Sequence, residues 1–266
     1  MRQLLRLLLL ALPIFLAPVL VAAMDLQPHR GVYRMVLASA SRASEIVSAN
    51  GVMTYRFGRG CDGWTVENRT TLRLLYQDDT ESDTVWSFVS WESLDGRQFR
   101  FHARYDQDGR TMEKLDGVAD LEGIGGAGRA RFAEPAKQIA LPMGTVFPTT
   151  HLRQVLEAAA AGRGSLARVV FDGASLDNPY QVSARFGPLP ADVAAQIGKA
   201  FGLAPQPGWW SRMAFFPAEG REAVPDFEMG AQYRADGIAD NIVQQFDTFS
   251  LDVRLKELEL LPPPDC

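Results

Sequence analysis

The sequence is poor in the residues from which most catalytic and metal sites are built. Among 266 residues there are three histidines, His29, His102 and His151, and two cysteines, Cys61 and Cys266. The histidines are widely separated, and no His-Glu-x-x-His motif of a catalytic zinc site occurs. The Gly-x-Ser-x-Gly motif of serine hydrolases is also missing. We therefore expect no catalytic residues, no metal, no cofactor and no enzymatic activity.

A glycine-rich stretch, LEGIGGAGRARF at residues 121–132, has spacing close to that of a dinucleotide-binding loop. Such a loop needs a following helix whose N-terminus holds the phosphate. The residues after this stretch alternate as in a strand, so the pattern predicts a flexible turn or a bulge.

The sequence also lacks a cluster of basic residues. Its formal net charge is −5 at pH 7, and the positive charges are scattered along the chain. A mildly acidic surface argues against binding to nucleic acid and against electrostatic attraction to anionic lipid. We expect neither partner.

Long apolar runs are missing except at the start of the chain. Arg2 and Arg6 precede an apolar stretch at residues 7–20, and small residues follow up to Ala23. This order predicts a secretory signal peptide over residues 1–23, with an uncleaved N-terminal anchor as the alternative. The remaining residues, 24–266, are expected to form a single soluble domain without a membrane span.

If the protein is exported, its two cysteines are expected to form a disulfide. Outside the cytoplasm a pair of cysteines typically forms a disulfide, and this pair would close a loop of about 205 residues. A reactive thiol would need a nearby histidine or a helix N-terminus, whereas Cys61 lies between Gly60 and Asp62 in what reads as a turn. We predict a disulfide between Cys61 and Cys266.

Alternation of apolar and polar residues dominates the first half of the chain. In RQFRFHARY, residues 97–105, every second side chain is aromatic or alanine, and the dipeptide Asp-Gly occurs six times in the chain. Alternation predicts strands, and Asp-Gly favours tight hairpins. The pattern therefore predicts an antiparallel meander of about seven strands over residues 30–141.

Two helices are predicted in the second half. The first follows an N-cap at Thr149 or Thr150 and stops at Gly162, and the second runs through LPADVAAQIGKAFG to Gly202. Strand patterns occupy the rest, giving thirteen or fourteen strands in total. So many antiparallel strands are expected to curl into a barrel, a sandwich or an intermediate form.

Clusters of aromatic residues are the most distinctive apolar feature of the sequence. They either line an apolar cavity in the curled sheet or pack in its core, and the residues concerned are Trp64, Trp86, Trp91, Trp209 and Phe215.

Several segments together resemble the EipB-type family of cell-envelope integrity proteins from the alphaproteobacterial periplasm. They are GVMTYRFGRGCDGWTVENR, FVSWESLDGRQFRF, LPMGTVFPTTHLRQVLEAAAAG, VVFDG and the terminal Cys266. The resemblance covers the chain from about His29 to its end. It implies a spiral, broken antiparallel β-barrel of about fourteen strands, closed by a disulfide between Cys61 and Cys266.

The resemblance also implies a periplasmic role in envelope stability and no known reaction. We therefore expect a monomeric, non-enzymatic protein that binds an envelope protein, or a lipid or peptide ligand, in the curve of its sheet. The unpaired edge of an open sheet is a further surface for a partner. A carrier of lipid or lipoprotein and a hydrolase of envelope polymers are the alternatives.

Overall fold

In the computed structural model, which describes residues 24–218 and 224–266, fifteen strands are hydrogen-bonded into one sheet. The predicted signal peptide lies outside the described residues. The strands are β1 (His29–Ala40), β2 (Ile46–Arg59), β3 (Gly63–Tyr76), β4 (Glu81–Ser93), β5 (Gln98–Gln107), β6 (Arg110–Leu121), β7 (Gly128–Glu134), β8 (Lys137–Leu141), β9 (Thr145–Val146), β10 (Ser165–Val170), β11 (Tyr180–Pro188), β12 (Gly208–Pro217), β13 (Phe227–Arg234), β14 (Ala239–Gln245) and β15 (Phe249–Leu260).

The sheet is a meander that curls into a nearly closed barrel. Strands β1 to β8 pair in sequence order, and β10 to β15 do the same, while β1 also pairs with β15. This order confirms the predicted mainly β fold, with eight strands where seven were expected between residues 30 and 141.

A seam interrupts the barrel between β8 and β9. The two strands are separated by residues 142–144 only, yet they form the opposite ends of the strand order. The chain therefore crosses the seam without pairing its two sides. Strand β9 pairs in parallel with β10 through two residues, Thr145 and Val146.

The two helices differ in detail from their predictions. Helix α1 covers Pro148–Ala160, two residues earlier than an N-cap at Thr149 would allow, and Phe147 occupies the N-cap position. Helix α2 covers only Ala191–Gln196, because Gly198 adopts a φ of 78° and breaks the predicted helix. Short 3-10 helices cover Arg42–Ser44 and Lys199–Phe201. No helix among the described residues is long and apolar enough to span a membrane.

One end of the barrel is closed by α1. Val155 and Leu156 of this helix belong to the same buried cluster as Phe57, Trp64 and Trp209. These three aromatic residues lie at the ends of β2, β3 and β12 that surround α1. We call this the closed end of the barrel, and we call the opposite end, where β11, β13 and β15 begin, the open end.

The disulfide lies at the closed end. Cys61 is in the turn between β2 and β3, and it is bonded to Cys266 with a Cα–Cα distance of 5.8 Å. The bond spans 205 positions of sequence and fastens the segment that follows β15. The predicted pairing is confirmed.

Candidate functional site: the aromatic mouth

A row of aromatic rings crosses the inner wall at the open end of the barrel. Neighbouring ring centroids along it are 6.2, 5.5, 5.4 and 4.7 Å apart. Such distances are typical of interacting aromatic pairs. We call the row the aromatic mouth, and in order its members are Tyr180, Phe215, Phe227, Phe246 and Phe249.

Strand register brings these residues together. Phe215 at the end of β12 lies directly opposite Phe227 at the start of β13. Phe246 and Phe249 flank the turn between β14 and β15, where the Phe246 amide donates to the Phe249 carbonyl at 2.9 Å. Because side chains alternate along a strand, Phe215 shares its inward face with Met213, a member of the core.

The mouth differs from the other aromatic clusters in its exposure. Phe99 of β5, Phe147 before α1 and Phe171 after β10 are at most 1% exposed and are part of a closed core. Phe246 is 36% exposed, and the other four members of the mouth are only partly buried. The mouth is therefore a cluster of partly exposed aromatic rings, and contiguous exposed apolar surface often marks a binding site.

One end of the mouth carries a polar group. The Tyr180 hydroxyl lies 3.0 Å from the Ser175 hydroxyl in the loop between β10 and β11. Burial raises the pKa of Tyr180, and it also raises the pKa of Asp172 in the same loop. The phenol is thus a neutral hydrogen-bonding group beside four apolar rings.

Sequence similarity to known proteins identifies the family. The family model for EipB-like proteins matches residues 20–262. The chain belongs to the EipB-like family. Its curated relative "Cell envelope integrity protein EipB" of Brucella abortus (strain 2308) is 25% identical over 245 residues, covering 90% of this chain and 86% of the relative.

A solved structure shows the same fold. It is the β-barrel-like protein of domain of unknown function DUF1849 from Brucella abortus, with a TM-score of 0.81 and 24% identity. The alignment covers 90% of the EipB-like chain and 100% of the solved one.

The five aromatic residues that were predicted to line a cavity or to pack in the core lie in different environments. Trp64 stacks on Phe57 at 4.9 Å, and it lies with Trp209 in the core at the closed end. Trp86 faces inward and stacks on Phe88 at 5.5 Å, partly exposed. Only Phe215 belongs to the aromatic mouth.

The prediction that Trp91 lines a cavity or packs in the core is wrong. Trp91 alternates with the buried Ser90 and Glu92 of β4 and therefore points outward. Arg100 of β5 covers its ring at 5.0 Å, so Trp91 packs on the outer surface of the EipB-like barrel.

Sequence reasoning missed four members of the mouth. Three of them, Phe227, Phe246 and Phe249, are each followed or preceded by polar residues, and Tyr180 follows a proline. None forms a cluster in the sequence, and only the pairing of β11 to β15 brings them together. The one feature of the sequence that could have identified them is that all four lie at the ends of predicted strands.

Buried polar groups in the EipB-like chain serve the fold. Glu92 is 2% exposed and accepts hydrogen bonds from the Thr149 and Thr150 amides at 2.7 and 2.9 Å. Arg234 is equally buried and donates to the carbonyls of Ile197 and Ala204 at 3.1 Å. Among the described residues no group of histidine, cysteine or acidic side chains is arranged to hold a metal ion.

Proposed function

We propose that this protein supports cell-envelope integrity from the periplasm by binding an apolar ligand, without catalysing a reaction. Membership of the EipB-like family supports the envelope role, since the curated relative is named for envelope integrity. The predicted signal peptide supports export, and the Cys61–Cys266 disulfide suits an oxidising compartment.

The aromatic mouth is the observation that carries the binding proposal. Five adjoining rings, tilted against one another, offer an apolar surface, and Tyr180 adds a hydroxyl at its edge. Apolar surface removed from water contributes about 25 cal/mol per Å², so a ligand that covers several rings gains useful affinity. An acyl chain fits this chemistry, because it is long, flexible and without hydrogen-bonding groups.

The roles of Glu92, Arg234 and His102 favour binding over catalysis. Glu92 satisfies the start of α1, and Arg234 joins the segment after α2 to β13. His102 lies on the outer face beside Asp116, with 3.3 Å between Nδ1 and the carboxylate. Each of these three side chains thus has a partner in the fold or on the outer surface.

Binding is tested with a fluorescent fatty acid titrated into the purified mature protein. We expect saturable binding that weakens at least tenfold in Phe227→Ala and in Phe246→Ala. Phe216→Ala is the matched control, since Phe216 neighbours Phe215 on β12 but points to the opposite face. Equal affinity in all four proteins, or no saturable binding, contradicts an apolar site at the mouth.

The envelope role is tested in cells that lack the protein. Wild type and Phe216→Ala should restore resistance to detergent, whereas Phe227→Ala should restore less of it although it is exported in equal amounts. Full rescue by Phe227→Ala would separate the envelope role from the mouth.

A lipid or lipoprotein carrier is the second candidate, favoured by the same partial exposure of the rings. A carrier releases its ligand to membranes, so the loaded protein should transfer the fatty acid to phospholipid vesicles within minutes. Retention of the ligand in the presence of vesicles supports a static binding role.

A further inference from the structure

The outer edge of β8 is left unpaired by the topology of the sheet. This strand, Lys137–Leu141, pairs with β7 on one side, and the sheet order ends there. The next strand along the chain, β9, pairs with β10 across the seam. A strand of five residues therefore has one bonded edge and one free edge among the described residues.

The register identifies the free backbone groups. The Glu122 amide donates to the Ala127 carbonyl at 2.9 Å, which makes these directly opposite residues a hydrogen-bonded pair. Hydrogen-bonded and non-bonded pairs alternate along antiparallel strands. By this alternation Arg129 of β7 bonds to β6, and Ala130 bonds to Ile139 of β8. The N–H and C=O groups of Gln138 and Ala140 therefore point to the seam side.

A groove of about 660 Å³ runs beside this edge. Its near wall is β8, and its far wall includes Leu176, Asp177, Pro179 and Asp226. Pro179 and Pro217 on the far wall have no backbone N–H and cannot donate to β8. The Lys137 ammonium donates across the groove to the Leu176 carbonyl at 3.3 Å, the one hydrogen bond that the described residues place there.

We propose that the free edge of β8 accepts an extended, basic segment of another polypeptide as a sixteenth strand. The free N–H and C=O groups of Gln138 and Ala140 repeat every second residue, a spacing that only another strand matches group for group. Asp177 and Asp226 line the far wall, are exposed, and form no ion pair among the described residues, so the groove has two acidic residues against one basic residue, Lys137. Basic side chains on the segment would complement them.

A single segment fits this groove better than a second copy of the barrel. The far wall stands opposite β8, so a partner must enter as one strand and not as the edge of a folded sheet. A groove of about 660 Å³ is within the range of small binding sites, roughly 300–1,000 Å³.

The experiment uses the mature protein and two fluorescein-labelled ten-residue peptides, one alternating valine with lysine and the other valine with glutamate. Fluorescence anisotropy at low ionic strength should show binding of the lysine peptide at least tenfold tighter than that of the glutamate peptide. Hydrogen exchange should show protection of the Gln138 and Ala140 amides when the lysine peptide is added.

Ala140→Pro removes a seam-facing N–H but leaves the bonds to β7 in place, as proline is tolerated where an edge N–H faces away from the sheet. It should weaken binding at least tenfold, whereas Ala140→Ser, the matched control, should retain it. The double variant Asp177→Asn, Asp226→Asn should lose the preference for lysine. Circular dichroism checks folding, and Gln138→Pro replaces Ala140→Pro if the latter does not fold.

Two results would overturn the proposal. The first is the absence of saturable binding, or binding that Ala140→Pro leaves unchanged and that protects no amide of β8. The second is a concentration-dependent dimer that Ala140→Pro abolishes, which would make a second copy the occupant. Phe246→Ala should bind the lysine peptide normally, because Phe246 belongs to the aromatic mouth and does not line the groove, so failure at the mouth and failure at β8 are distinguishable.

Discussion

His151 shows how position in the fold changes the chemistry of a single residue. It lies in the first turn of α1, is 6% exposed, and its Nε2 atom has no hydrogen-bond partner among the described residues. Burial, aided by the charge of Arg168, lowers its pKa to about 4. The side chain is therefore a neutral packing group at neutral pH.

This depressed pKa predicts a loss of stability in acid. In the unfolded chain a histidine has a pKa near 6.5, so between about 6.5 and 4 the unfolded state binds more protons. The free energy of unfolding should fall as the pH drops through this window, by on the order of 3 kcal/mol from this residue. Urea unfolding at pH 7 and at pH 4.5 measures the change.

His151→Gln is the comparison, because an amide does not titrate. Its free energy of unfolding should change less between pH 7 and pH 4.5 than that of the wild type. Glu92, whose pKa burial raises against the hydrogen bonds from Thr150 and Thr149, acts in the opposite direction in both proteins. Parallel pH dependence in the two proteins would contradict a buried neutral His151.

At the scale of elements, α1 depends on a strand distant in sequence. The first amides of a helix have no partner within it, and here Phe147 at the N-cap position offers no side-chain oxygen. The carboxylate of Glu92, on β4, accepts from two of these amides and from the Thr150 hydroxyl. The helix that closes the barrel is thus capped by the sheet that it closes.

Removal of this carboxylate should therefore destabilise the whole closed end. Glu92→Ala leaves buried donors without acceptors, and each unsatisfied donor costs about 1–3 kcal/mol. We expect the free energy of unfolding in urea to fall by at least about 2 kcal/mol. Glu67→Ala removes an exposed partner of Arg56 and should cost less than about 1 kcal/mol. Equal effects of the two substitutions would show that Glu92 does not cap α1.

At the scale of the whole molecule, the disulfide connects the chain's last residue to an early turn. Cys266 follows β15, which pairs with both β1 and β14, and Cys61 ends the hairpin of β2 and β3. The bond therefore holds the tail after β15 against the closed end. In the unfolded chain it restricts a loop of 205 positions.

Loss of this bond should lower the midpoint of thermal unfolding. The chain-entropy model gives a stabilisation of about 5 kcal/mol for so long a loop, and measured values are often smaller. Cys61→Ser and Cys266→Ser should melt at the same lower temperature and should not respond to reductant, whereas reductant should lower the wild-type midpoint to theirs. An unchanged midpoint in both variants would contradict a stabilising disulfide.

Local patterns were sufficient for much of the fold. Alternation in RQFRFHARY predicted β5, since a strand with one buried face has a period of two wherever it pairs. The pairing of Cys61 with Cys266 followed from the presence of two cysteines in a chain that was predicted to be exported. The helix predicted to run to Gly202 was wrong in length, because Gly198 takes a left-handed conformation that its sequence neighbours do not reveal.

The sequence by itself determined the strands, the first helix, the disulfide and the family, because each depends on local periodicity or on a few specific residues. Only the tertiary structure decided which aromatic side chains meet. Trp91 faces outward beside Arg100, while Phe215 and Phe227 join Phe246 at the open end. The free edge of β8 was equally undetermined, because the seam arises from the order of fifteen strands around a barrel and from no residue alone.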